Sequence, residues 1–288
     1  VSKRNELMTH AIRLFSEKGF HQTSVQEVAQ AVGISKGAFY KYFDSKESIF
    51  IEILKQNHER IITEANLLNV SNNLTGKEAF TQKIQIELSH WMENRPFFTV
   101  MFNEFPPTEN ERIADIMKTL RTSMIELHKN SLLDAYGEKI KPFMSDLVIM
   151  FEGMLKEYIF TVIIENKNVV VYKLATLIAS SIDSIVQSLD QLEPALDEKL
   201  FELSHDDLLE EMRKRLKVLE QKISNSPSQQ YKKEKLLSSV QLLNEEITNK
   251  NPQKFLIEAL VGYLKQEKTL EEDILLLKSL LEKFIGEV

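Results

Sequence analysis

Three helix starts and one sharp turn fall in quick succession between Thr23 and Glu47, and this punctuation constrains the fold more than any other stretch. Ser24, with Glu27 three residues on, makes a capping box that starts a helix at Val25. Val25, Val28, Ala29 and Val32 give that helix one apolar face. Gly33 allows a sharp turn, Ile34 returns to the core, and Ser35 caps a second short helix. There Phe39 and Phe43 lie four apart and face inward, leaving Lys36, Gly37, Tyr40 and Lys41 pointing out. Asp44 or Ser45 caps the next helix, whose first turn carries Lys46. Upstream, Leu7, Met8, Ala11, Ile12, Leu14 and Phe15 predict a helix from about Lys3 to Lys18, ended by Gly19. Short helices around a tight turn make a helix-turn-helix, whose second helix fits the DNA major groove.

The runs Leu14-Phe15-Ser16-Glu17-Lys18-Gly19-Phe20, Thr23-Ser24-Val25, Gly33-Ile34-Ser35-Lys36-Gly37, Phe39-Tyr40-Lys41-Tyr42-Phe43 and Lys46-Glu47 resemble the TetR family of bacterial repressors. The resemblance covers about residues 3 to 54. It implies phosphate contacts from Ser24, Ser35, Tyr40 and Lys46. It implies base-edge or close-approach roles for Gln26, Lys36, Gly37 and Tyr42, although the Tyr42 slot is often histidine in relatives. It also implies an all-helical ligand-sensing and dimerisation domain, whose last two helices pack against their copies.

The charge is unevenly shared. The chain carries a net −7, yet residues 1–50 hold seven Lys/Arg against five Asp/Glu. A mildly basic head on an acidic body turns the head toward a duplex and the body away from it. There is no cysteine, which excludes disulfides and thiolate metal sites, and a cytoplasmic location is expected. No signal-peptide pattern opens the chain and no apolar run reaches about 18 residues, so no membrane association is expected. Neither a phosphate-cradling glycine loop nor a nucleophile elbow is present. Glu87-x-x-His90 has a spacing that metal ligands on one helix face can use, but a lone pair of this kind is usually coincidence. The expectation is therefore no enzyme, no metal and no cofactor.

Three regions follow in an all-α chain: a helix-turn-helix domain over 1–50, a helical ligand-binding and dimerisation domain over 51–193, and an extra helical region over 194–288. A helix from Ser45 to Asn66 links the first two. Thr75-x-x-Glu78 starts another, Pro96 restarts the chain, and Pro106-Pro107 breaks it. The segments 143–164 and 169–192 are apolar on more than one face, and Ala175, Ala179, Ser180 and Ser181 allow close helix approach, so both are assigned to the homodimer interface. Trp91, Phe98, Phe102, Met124, Phe151 and Tyr158 are the candidate lining of an effector pocket, against the plainer alternative of ordinary helical core. Beyond Pro194, apolar residues recur in steps of three and four, such as Leu209, Met212, Leu216, Leu219 and Ile223, and predict four one-sided helices whose stripes pack on one another, on the preceding domain or on a partner, self-packing being favoured.

The expected activity is a homodimeric repressor released from a palindromic operator by an apolar or amphipathic small molecule. The alternative is a DNA-bound scaffold without an effector, whose carboxyl-terminal helices bind a protein.

Overall fold

The computed structural model describes residues 2–69, 74–105, 111–201, 205–226, 229–249 and 251–270, and beyond these positions 273, 274, 277, 278, 280, 281, 283 and 284. Among the described residues every regular element is helical. The first nine α-helices are α1 (Lys3–Lys18), α2 (Val25–Ala31), α3 (Lys36–Phe39), α4 (Lys46–Asn69), α5 (Gly76–Glu93), α6 (Arg95–Glu104), α7 (Glu111–Tyr136), α8 (Met144–Ile164) and α9 (Val171–Gln187). Then come α10 (His205–Asn225), α11 (Gln230–Ile247) and α12 (Lys254–Leu264). The Pro106-Pro107 break lies outside the described residues.

The local signals act as their chemistry dictates. Ser24 and Thr75 each close a reciprocal capping box, with Glu27 and Glu78, at the starts of α2 and α5. Gly33 turns the chain with φ +72°, a conformation that a side chain would strain. The second helix of the pair is shorter than its apolar spacing predicts. It ends at Phe39, after which Lys41 N–H and Tyr42 N–H bond three residues back, at 3.2 and 2.9 Å. The tightened turn still buries Phe43 beside Phe39, 6.1 Å apart between ring centres. Pro142 sits inside a 3₁₀ turn (Glu138–Phe143), and α8 begins just after it at Met144.

Helix α5 is the spine of the first unit, packed against α4, α7 and α9. Its first residue is glycine because α7 passes there at backbone distance. A Cβ on Gly76 would lie 2.1 Å from the Asp134 carbonyl oxygen.

The chain divides into two compact units, Val1–Phe201 and Glu202–Val288. The first extends past the residue-193 boundary expected from sequence. Asp146 accepts the Ala195 N–H at 3.2 Å, and Ser145 donates to the Glu198 carbonyl at 3.1 Å, so these residues fold back on the start of α8. The second unit closes on its own core. Met212, Leu216, Leu219 and Ile223 of α10 meet Leu236, Val240, Leu243 and Ile247 of α11, Ile257 and Leu264 of α12, and the helical positions Ile274, Leu277, Leu281 and Phe284. Asp273 is buried there and accepts from Lys222 at 2.5 Å. The extra helices thus pack on one another, as their one-sided stripes predict.

Candidate nucleic-acid interface

The helix-turn-helix presents one polar edge. Ser24, Gln26, Ser35, Lys36, Gly37, Tyr40 and Tyr42 are all exposed, whereas Val28, Ala29, Phe39 and Phe43 are buried behind them. Two caps set the backbone. Ser35 Oγ accepts the Ala38 N–H at 3.1 Å, and Ser24 Oγ accepts the Glu27 N–H at 3.2 Å. The Lys18 ammonium first, then the Ser24 amide and hydroxyl, hold the Glu27 carboxyl down at about 2. A Cβ on Gly37 would meet nothing closer than Ser35 Oγ at 3.9 Å. The protein's own packing does not require glycine there, and glycine costs helix stability. Its use fits a surface that another molecule must approach closely.

Lys46 is placed differently from the others. It is half-buried, and its ammonium donates to the carbonyls of Phe20, Thr23 and His21, at 2.7, 3.0 and 3.2 Å, while lying 4.5 Å from the centre of the Phe20 ring. All three of its protons are spent on the loop between α1 and α2. A phosphate at this position would compete with three carbonyl oxygens.

That loop is gripped from the other side as well. The Glu104 carboxylate, at the end of α6, accepts the His21 N–H at 3.1 Å. It sits so close to Gly19 that a Cβ there would lie 2.7 Å from Oε1. Phe20, Phe50 and Phe105 cluster nearby, with Phe50 and Phe105 tilted and centred 4.2 Å apart and Phe20 meeting Phe105 edge-on at 4.7 Å. Arg4 closes the far corner by donating to the Tyr42 carbonyl at 2.7 Å and lying over Phe43. Glu104, His21 and Arg4 had no signal in the sequence as head residues, since the partners lie 83 and 38 residues apart.

The six candidate pocket residues do not share one place. Trp91, Phe98 and Phe102 come together, with Trp91 centred 3.9 Å from Phe98 and 6.1 Å from Phe102, and Phe160 joins them from α8. The buried Trp91 Nε1 has no acceptor. Phe151 belongs instead to a second cluster with Phe80 and His128. Met124 is half-buried on α7, and Tyr158 is exposed on α8.

Beside Phe151 lies a buried ionic group that the sequence did not reveal. His128 Nε2 is 2.9 Å from Glu87 and Nδ1 is 3.2 Å from Glu152, so the ring bridges α5, α7 and α8. Burial pulls the pKa of His128 down, but the Glu87 charge and hydrogen bonds to Glu152 and Glu87 outweigh it, and the pKa is raised to about 9. Nearby His58 bonds to Ser123 Oγ at 3.0 Å. Burial pushes its pKa down to about 4, against the pull of Glu87. Glu87 and His90 share no partner, for His90 faces Glu64 at 3.0 Å. Among the described residues no helix is long and apolar enough to cross a membrane.

With this geometry in hand, the comparisons agree on the head and differ over how far they reach. The family model of bacterial regulatory proteins of the tetR family matches residues 7–53. The uncharacterized HTH-type transcriptional regulator YuxN of Bacillus subtilis is 28% identical over 292 residues, covering 98% of each chain. YerO of the same organism, another uncharacterized HTH-type transcriptional regulator, is 28% identical over 91% of this chain and 89% of its own. The solved TetR-like transcriptional regulator of a Rhodococcus species shares the fold at a TM-score of 0.52 and 19% identity, over 64% of this chain and 96% of its own. The fatty acid degradation regulator FadR of Bacillus halodurans does so at 0.53 and 15%, over 63% and 95%. These structures account for the extent of the first unit, while the match to YuxN runs through both.

Proposed function

Because the chain belongs to the TetR family of helix-turn-helix regulators, with extra carboxyl-terminal helices beyond the family's core, we propose that this DNA-binding transcriptional regulator acts as a homodimeric repressor, released from a palindromic operator by an apolar or amphipathic ligand. The observation that carries the reading is the polar edge of the head, exposed from Ser24 to Tyr42 over a fully buried Phe39. Ser24, Ser35 and Tyr40 then meet phosphates, while Gln26, Lys36, Gly37 and Tyr42 meet base edges. We assign Lys46 chiefly to holding the α1–α2 loop in register, with any phosphate contact secondary, because its protons are already bonded.

One short helix reads few base pairs, so a two-fold pair with heads about 34–36 Å apart is the natural reader. Helices α8 and α9 suit the pairing. Ile149, Met150, Phe160 and Ile164 of α8 and Leu177 of α9 are exposed apolar residues, and an apolar stripe of that kind asks for a partner. We assign the effector site to Trp91, Phe98, Phe102 and Phe160, whose rings come together. An acyl chain suits such a lining, and a regulator of fatty acid degradation shares the fold. Glu104 ends the helix that carries Phe98 and Phe102, so displacement of α6 reaches the head through His21. A ligand preferring the displaced state lowers operator affinity by population shift.

The test is direct. Fatty acids and acyl thioesters of graded length are titrated into the protein–operator complex, and release is followed by fluorescence anisotropy. Release that depends on chain length and is lost in Phe102→Ala supports the reading. If no acyl ligand releases the DNA and the protein stays monomeric on it, the reading fails. One observation favours the scaffold alternative: Phe255 on α12 is 82% exposed, with Leu242 of α11 also exposed, in a unit whose core is already closed.

A further inference from the structure

A groove along α5, between α4 and α9, plays no part in the reading above. Its volume is about 760 Å³, within the range of small-molecule sites. Carboxylates stand at both ends, and neutral amides lie between them. Glu78 marks the amino end of α5, while Glu93 and Glu64 of α4 mark the other. Glu78 and Glu93 are separated by about 22 Å along the helix at 1.5 Å per residue. Gln82 and Gln85 line the middle, and neither side chain is bonded elsewhere among the described residues.

The acidic ends keep spare capacity. The Thr75 amide and hydroxyl occupy only Oε2 of Glu78, both at 2.8 Å. Arg60 is the cation facing Glu93, at 3.9 Å with both side chains more than half exposed, and such a pair neutralises little. At the same end His90 lines the groove with its side chain 4% exposed. Its Nε2 lies 3.0 Å from the Glu64 carboxylate, which can only accept, so that nitrogen donates. Nδ1 of the same ring has no hydrogen-bond partner among the described residues.

We propose that the groove binds a linear polyamine. One terminal ammonium meets Glu78, the other meets Glu64 and Glu93, the inner amines meet Gln82 and Gln85, and Tyr172 of α9 offers a ring face to the chain. A compact amine satisfies only one end, an anion is repelled, and an apolar chain leaves the carboxylates unmet. This site is separate from the aromatic cluster, and its occupancy does not depend on an acyl effector.

The experiment is calorimetric titration of spermine into the full-length protein without DNA, at low ionic strength, with 1,3-diaminopropane as the short probe. Saturable binding of one spermine per chain is expected, with the diamine at least about tenfold weaker. Glu64→Gln with Glu93→Gln should weaken spermine by about tenfold or more, whereas the same charge change at the exposed Glu165 and Glu220 leaves it unchanged. Gln85→Trp, which fills the groove, should abolish binding with the helical circular dichroism intact. Absence of saturable heat, equal affinity for the diamine, or equal loss in both paired variants overturns the proposal.

Discussion

The head and the interior of the helical bundle behind it each hold a cation away from bulk water, and they do it in opposite ways. Lys46 meets three neutral carbonyls and a ring face from a half-buried position. His128 is buried and sits between two carboxylates. When the head clamp opens, the ammonium and the carbonyls exchange one set of hydrogen bonds for water. Opening the His128 site exposes a pair of carboxylates to apolar surroundings, where each uncompensated charge costs several kcal/mol. The head should therefore loosen locally and cheaply, while the core around α5, α7 and α8 moves as a block. The proposed passage of movement from α6 to the head would draw on that asymmetry.

The largest expected effect is in the core. His128→Leu leaves Glu87 and Glu152 facing each other without their counter-ion, and should cost about 3–5 kcal/mol in urea unfolding. Replacing Glu87 and His128 together by apolar residues should recover much of it, as removing both partners of a buried pair often does. A cost for His128→Leu as small as a surface substitution would break the contrast with the head.

The pH dependence sharpens the same point. His128 is raised from 6.5 to about 9 in the folded state, so its contribution is complete below pH 6.5 and lost as pH rises through 9. His58 is lowered to about 4, so its contribution is complete above pH 6.5 and lost as pH falls through 4. Stability from these two groups should peak near pH 6.5, and the alkaline loss should flatten in the variant without His128. Thermal melts between pH 4 and 10 read both limbs.

Next in size is backbone packing. Gly76→Ala puts a methyl group 2.1 Å from the Asp134 carbonyl and should destabilise by about 1–3 kcal/mol, the usual cost of overpacking. Lys46→Met leaves the carbonyls of Phe20, His21 and Thr23 without their donor. Its cost should be about 1–2 kcal/mol, seen as faster hydrogen exchange confined to the loop between α1 and α2. An equal rise in exchange across α5 and α7 would contradict the idea of a soft head on a stiff core.

Gly37→Ala has the smallest effect on stability and the most informative sign. Nothing in the protein obstructs the methyl group, so stability should hold or rise by up to about 1 kcal/mol, while DNA affinity falls. Loss of both stability and binding would mean that the glycine serves the fold.

The head was legible from sequence because its instructions are local. Capping boxes, a turn glycine and apolar residues four apart all act within one or two helical turns, so the buried and exposed sides could be read directly. The self-packing of the second unit was legible for the same reason, from stripes repeated at three and four. The ionic interior around His128 was not. Glu87 and His128 are 41 residues apart, and His128 and Glu152 are 24 apart, with no periodic pattern to pair a histidine with either glutamate. The α3 helix was overextended for a related reason: spacing of Phe39 and Phe43 fits both a helix and the tight turn found. Aromatic residues proved ambiguous as well. Trp91, Phe98 and Phe102 converge while Phe151 and Tyr158 do not, because helix crossing, which sequence spacing leaves open, decides which rings meet.

The exposed edge of the head is the centre of the account, and the salt dependence of duplex binding tests it most directly. Full-length protein should retain particular fragments of its own genome, with log affinity falling linearly against log salt. Lys36→Ala should blur the preference among fragments while leaving that slope nearly unchanged, and Tyr40→Phe should weaken every fragment alike. A folded protein that holds no duplex at low salt, or whose binding ignores both substitutions, contradicts it.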